Sequence, residues 1–133
     1  KRYIAGAYDP VRERMIYVTG DAKASWLFLN LLRALQQAYK WARRIHVILD
    51  NYVIHKSVRV QAALRRMPKV RLQFLPPYCP NDNKIERVWL DLHANVTRNH
   101  RCRTLQDLMT EVHHYLADRF EVFRGLCVNL ALA

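Results

Sequence analysis

Apolar and polar positions along this chain fall into blocks, and the period of each block predicts the element it forms. Arg2 to Tyr8 and Met15 to Thr19 are short apolar-rich runs parted by Asp9-Pro10, a turn signal, and predict an antiparallel hairpin. From Asp21 to Arg44 the period changes, and Phe28, Leu31, Leu32, Leu35, Ala38, Tyr39 and Ala42 share one helical face. Asp21 or Ser25 is expected to cap that helix, with Lys40, Arg43 and Arg44 favouring its C-terminal dipole. Trp26 and Trp41 are expected in the core or at its rim.

Ile45 to Leu49 is continuously apolar enough to predict a central strand covered on both faces. A helix follows from about Lys56 to Met67, with Val60, Ala63 and Leu64 inward, and Pro68 stops it. Val70 to Leu75 predicts a further strand. Asp82 or Asn83 then starts a helix reaching about Asn99, whose buried stripe is Ile85, Val88, Trp89, Leu92 and Val96. Thr104 is placed to cap a last helix, Leu105 to Phe120, with Leu105, Leu108, Met109, Val112 and Leu116 inward. Past Phe120 no pattern is readable. The order implies an α/β domain over residues 1–120, a mixed sheet flanked by helices, with 121–133 as a tail.

Composition narrows the class. The 133 residues suit a single domain, and 51% hydrophobic with 25% charged residues is a globular balance. A formal net charge of +11, spread through the folded blocks, favours a polyanionic partner, nucleic acid or an anionic membrane surface. Cys79, Cys102 and Cys127 are odd in number and widely spaced, which fits no disulfide framework and suits a reducing cytoplasm. There is no signal-peptide pattern and no apolar run long enough to cross a membrane. The chain opens at Lys1 without a Met, as a fragment of a longer protein would.

Two carboxylates stand out. Asp50 ends a predicted strand, and in open α/β sheets sites gather at the carboxyl ends of strands. Glu86 opens the helix that follows Leu75-Pro-Pro-Tyr-Cys-Pro80, where three prolines in five positions forbid ladder and helix alike. Asn83-x-x-Glu86 is also a capping-box pattern, so the carboxylate is either a cap or a ligand. With 35 residues between them, 51 to 85, Asp50 and Glu86 are able to converge on a hard divalent cation. His93, His100 and Cys102 match no common zinc spacing and read as helix-surface residues.

Asp50-Asn51 after an apolar strand, then His55, Leu-Pro-Pro-Tyr-Cys-Pro, Asn83, Ile85-Glu86 and Trp89 together resemble the mariner-type DDE transposases, in their bacterial insertion-sequence branch. The resemblance spans roughly Tyr3 to Leu116, and departs where Cys79 replaces a usual Ser and Lys84 a frequent Pro. It implies a ribonuclease H-like fold and DNA cleavage and strand transfer at transposon ends, with Mg²⁺ or Mn²⁺ in a two-metal site. Asp50 and Glu86 become the second and third acidic ligands, and Asn51, His55 and Asn83 shape the site.

The first acid would lie on a strand preceding Arg2, so this chain is expected to lack the first strand and to be inactive alone. Arg87, Arg98, Arg101 and Arg103 are candidate phosphate contacts. DNA is the implied partner, a homodimer in the DNA complex is compatible, and a bacterial cytoplasm is the expected location. Two rivals stay open: a DNA-binding remnant that cleaves nothing, and another ribonuclease H-like nuclease.

Overall fold

The predicted hairpin forms. In the computed structural model, which describes residues 1–50, 53–76 and 83–125, β1 (Tyr3–Asp9) pairs antiparallel with β2 (Arg14–Gly20), in register from Tyr3 opposite Gly20 to Asp9 opposite Arg14. Asp9 closes the turn by accepting the Val11 and Arg12 amides on Oδ1, at 3.1 and 3.2 Å. Its Oδ2 takes the Arg12 guanidinium and, at 2.7 Å, the Tyr39 hydroxyl. Burial pushes the Asp9 carboxyl up, but these bonds outweigh it and leave its pKa below the ordinary 3.8.

The long helix is shorter than its periodicity predicts. Helix α1 spans Ser25–Ala38, with Ala24 at its N-cap and no side-chain cap. Asp21 is drawn away into an ion pair with Arg2, and Ser25 bonds Ser57 instead. At the other end Lys40, Arg43 and Arg44 lie beyond the last turn. Lys69 neutralises that end, its Nζ donating to the carbonyls of Tyr39, Lys40 and Ala42 at 3.0–3.3 Å. Trp41, expected at the core or rim, is exposed under the Arg12 guanidinium.

Beyond α1 the chain forms β3 (Ile45–Leu49), a 3₁₀ turn (Val53–Lys56) and α2 (Val58–Leu64), the last capped by the Ser57 hydroxyl. Strand β4 (Val70–Phe74) pairs parallel with β3. Helix α3 (Ile85–Leu92) runs on through a π turn (His93–Thr97), and α4 (Leu105–Arg119) is capped by Thr104. Leu105, expected inward, is 43% exposed because it stands on the first turn, outside the packed stripe. A strand that no pattern announces, β5 (Glu121–Arg124), pairs parallel with β2.

The architecture is mixed α/β, but the described strands make two sheets, β1-β2-β5 and β3-β4. The expectation that β3 is covered on both faces fails. Ile45 and Leu49 are buried against α1, while His46 and Ile48 on the alternate face are exposed. A five-residue apolar run has no period that could distinguish the two cases.

Two cores result. One joins Ile16 and Val18 to the α1 face and to Ile45, Leu49, Val60 and Val70. The other joins Met15 and Tyr17 to Val88, Leu92, Val112 and Leu116. Leu32 is wholly buried at the centre of the first. Leu32→Ala should therefore destabilise the fold by about 2–5 kcal/mol, through forfeited transfer energy and a residual cavity. The exposed Leu90→Ala should stay within about 0.5 kcal/mol, both read from urea unfolding midpoints.

Candidate active site

Parallel pairing sends β3 and β4 out of their sheet at the same end, where the Leu75 amide still donates to the Leu49 carbonyl at 2.8 Å. Asp50 follows directly, its side chain 54% exposed. The 3₁₀ turn folds His55 back onto it. His55 Nδ1 lies 3.3 Å from the Asp50 carbonyl oxygen and 3.4 Å from the Asp50 carboxylate. The ring also packs on Phe28 of α1, centroids 4.5 Å apart. Burial there lowers the His55 pKa below 6.5, against the upward pull of Asp50. His55 is thus a brace that ties the Asp50 backbone to α1, a role its position in the sequence does not reveal.

Glu86 comes from the opposite side. Helix α3 is anchored on β1 by Trp89, whose ring lies so close to Gly6 that a Cβ there would sit 2.8 Å from it. Only glycine admits that approach. The capping half of the alternative is not seen: Lys84 is the N-cap residue, without a side-chain cap, and the Glu86 amide donates to the Asn83 carbonyl at 3.1 Å. Neither half of the predicted capping box is made, and the exposed Glu86 carboxylate has no partner among the described residues.

The two carboxylates share one groove of about 830 Å³. Residues of β1, of α1, of β3 with Asp50 and of the start of α3 line it. Asn83, His55 and Glu86 line it with Asp50. Lys23, which no motif or spacing singles out, and Lys84, noted only as a departure from the family motif, line it as well. Asn51 and most of the proline elbow, including Pro77, Pro80 and Asp82, fall outside the described residues.

Carboxylate oxygens are the donors that Mg²⁺ or Mn²⁺ prefer, so the pair suits a hard cation. Among the described residues, however, no group of three His, Cys, Asp or Glu side chains is close enough to hold a metal. His93 instead bonds Thr97 at 2.9 Å, and His100 accepts the Cys102 amide.

Arg87, Arg98, Arg101 and Arg103 are all exposed and form no ion pair among the described residues. They lie on α3 and just past its π turn, outside the groove itself. No described helix is long and apolar enough to cross a membrane.

The chain itself falls into an endonuclease family. The model of the DDE superfamily endonucleases matches residues 1–109, and the chain is a member of that family. It is also 40% identical over 116 residues to the insertion element IS630 uncharacterized 39 kDa protein of Shigella sonnei. That match covers 87% of this chain but 34% of the relative, so the chain spans about a third of the relative's length. No solved structure matches.

The His55 geometry has a pH consequence. The unfolded chain binds its proton near pH 6.5, whereas the folded ring resists protonation to a lower pH. Stability from this group is therefore present above about pH 6.5 and is lost as the pH falls toward the folded value. An NMR titration of the ring should give a midpoint below 6.5, and Asp50→Asn should lower it further by removing the negative charge beside the imidazolium.

Proposed function

We propose that this chain is the catalytic core of an insertion-element transposase with a ribonuclease H-like fold, acting on DNA with Mg²⁺ or Mn²⁺. The observation that carries the reading is a single groove bearing Asp50 and Glu86, in a member of the DDE superfamily endonucleases. The relative's place in an insertion element supports DNA mobility as the context.

Asp50 and Glu86 would hold the metal, which when bound activates an attacking oxygen and stabilises the leaving one in phosphodiester cleavage and strand transfer. Asn83 and His55 shape the groove, His55 by bracing Asp50, and Asn51 follows Asp50 in the chain. Arg87, Arg98, Arg101 and Arg103 meet DNA phosphates beside the groove, where they position the duplex without reading it. By the family resemblance a further acidic ligand, the first in chain order, would complete the metal site in the full-length transposase. The proposed setting is the bacterial cytoplasm, and a homodimer on DNA is compatible with the reading.

The longer polypeptide should nick DNA carrying the ends of its element with Mg²⁺ or Mn²⁺, and stop when EDTA is added. Asp50→Asn and Glu86→Gln should each lower single-turnover cleavage by at least about 100-fold, in line with the removal of one preorganised charge-stabilising group. Full cleavage by Glu86→Gln would sink its role, and DNA binding without any cleavage by the longer polypeptide would favour the remnant.

A second expectation concerns the arginines. Replacing Arg98, Arg101 and Arg103 together by alanine should weaken binding to all duplexes alike. The slope of log affinity against log salt should shrink by about 0.9 for each phosphate that is no longer neutralised.

A further inference from the structure

The positive charge of this chain is concentrated in one part of the fold. Residues 22–81 hold eleven Lys or Arg against a single acid, Asp50, whereas residues 82–133 hold seven against seven. Arg87, Arg98, Arg101 and Arg103 therefore stand in a stretch of no net charge. Nearly all of the +11 belongs to the stretch from α1 to β4.

Tertiary contacts gather six of these cations on one surface. Helix α2 starts near the Asp50 end of β3, where the Ser57 hydroxyl meets Ser25 of α1, and it returns the chain to the start of β4. Val60 and Met67 are buried in the first core, so Arg59, Arg65 and Arg66 are left exposed on the outer side. At the far end Lys69 fastens two loops together. Its Nζ donates to the Tyr39, Lys40 and Ala42 carbonyls, and its own carbonyl accepts the Ile45 amide at 2.7 Å. Lys40, Arg43 and Arg44 thus stand beside the loop that ends α2.

All six are exposed, and they form no ion pair among the described residues. The described arginine–carboxylate pairs lie on Arg2, Arg12 and Arg14 instead. Asp9 and Glu121, brought near the end of α1 by Tyr39 and Arg14, are engaged by Arg12 and Arg14. A surface that only meets water intersperses both signs, because like charges on one face repel each other. Six cations without a carboxylate among them are the complement of a polyanion.

We propose that the outer face of α2 and the 40–44 segment form a track for the phosphate backbone of duplex DNA, separate from Arg87, Arg98, Arg101 and Arg103. The inference rests on DNA being the substrate, and it assigns where the duplex runs once it leaves the candidate site. Helix α2 runs back along β3, whose five residues span about 16 Å. At about 3.4 Å per base pair, a duplex lying along α2 passes four or five pairs between the Asp50 end and Arg43. An anionic membrane would attract the same cations, but an interfacial helix turns an apolar face outward. Helix α2 does the reverse: Val60, Ala63 and Leu64 turn to the core, and Val58 alone of its large apolar side chains is exposed.

Binding of this chain to a short fluorescein-labelled duplex of arbitrary sequence, measured by anisotropy in EDTA, tests the track apart from any cleavage. Across a KCl series, Arg59→Gln, Arg65→Gln and Arg66→Gln together should lower the slope of log affinity against log salt by about 2, at about 0.9 for each phosphate no longer neutralised. Lys40→Gln, Arg43→Gln and Arg44→Gln together should act in the same direction. Arg59→Lys, Arg65→Lys and Arg66→Lys together keep the charge and should bind like the unsubstituted chain.

An unchanged slope in either glutamine triple, with the unsubstituted chain still binding, would overturn the track and leave the DNA reading standing. A lysine triple as weak as the glutamine one would also overturn it, since phosphate neutralisation requires only the charge. Failure of the unsubstituted chain to bind any duplex would overturn both. Release from phosphatidylcholine–phosphatidylserine vesicles by the α2 glutamine triple, with DNA binding untouched, would give the face to a membrane and refute the proposal. If that triple does not fold, by circular dichroism, Arg59→Gln and Arg66→Gln are tested singly, each expected to lower the slope by about 0.9.

Discussion

β2 is the strand on which both cores close. Met15, Ile16, Tyr17 and Val18 are each at most 1% exposed, so successive side chains of one strand are buried on opposite faces. Ile16 and Val18 face α1 and, through it, β3 and β4; Met15 and Tyr17 face α3 and α4. The candidate site inherits this division. Asp50 is positioned by the first core, through Leu49 and the His55 ring on Phe28. Glu86 is positioned by the second, through Val88 and Trp89. No described ladder joins β3 to β1, so the spacing of the two carboxylates depends on side-chain packing through α1 and β2.

That arrangement separates what was legible in the chain from what was not. The hairpin, the helical faces and the strands at Ile45 and Val70 follow from periodicity, because burial imposes it residue by residue. Their ends do not. Asp21 has the chemistry of an N-cap, but an arginine nineteen positions away competes for its carboxylate. Lys69 displaces the expected Lys40 and Arg43 at the C-terminus of α1, a choice made by tertiary proximity alone. β5 was invisible because Glu-Val-Phe-Arg is four residues long and its partner β2 lies over a hundred positions back.

The candidate carboxylates were picked out of the sequence by signals of the same local kind. Asp50 and Glu86 are announced by local features, a strand end and a proline elbow. His55 is not, since its tie to Asp50 exists only once the 3₁₀ turn has folded back.

The hairpin is also fastened at both layers by polar contacts that the cores alone would not require. On the α1 side Asp9 holds the Tyr39 hydroxyl, which burial and then that bond push up to a pKa of about 12, so it stays a donor. On the other side the Tyr17 hydroxyl meets His113 Nδ1 at 2.6 Å, and burial lowers the histidine pKa, which favours a neutral ring able to accept. Each bond satisfies a phenol that would otherwise be costly to bury, and each restricts how the helix can slide along the strand.

Glu86 shows what such anchoring makes possible. A glutamate in the first turn of a helix ordinarily turns back to the capping residue, and the Asn83-x-x-Glu86 spacing invites that here. Yet α3 begins without a side-chain cap, and the Glu86 amide is satisfied by the Asn83 carbonyl. An uncapped helix start forgoes on the order of 1 kcal/mol. Here that loss is offset by Trp89 against Gly6 and by Val88 and Leu92 in the second core, which hold the helix in place without the cap. Because packing rather than capping fixes α3, the Glu86 carboxylate is left unpaired at the groove, where it is available to whatever enters.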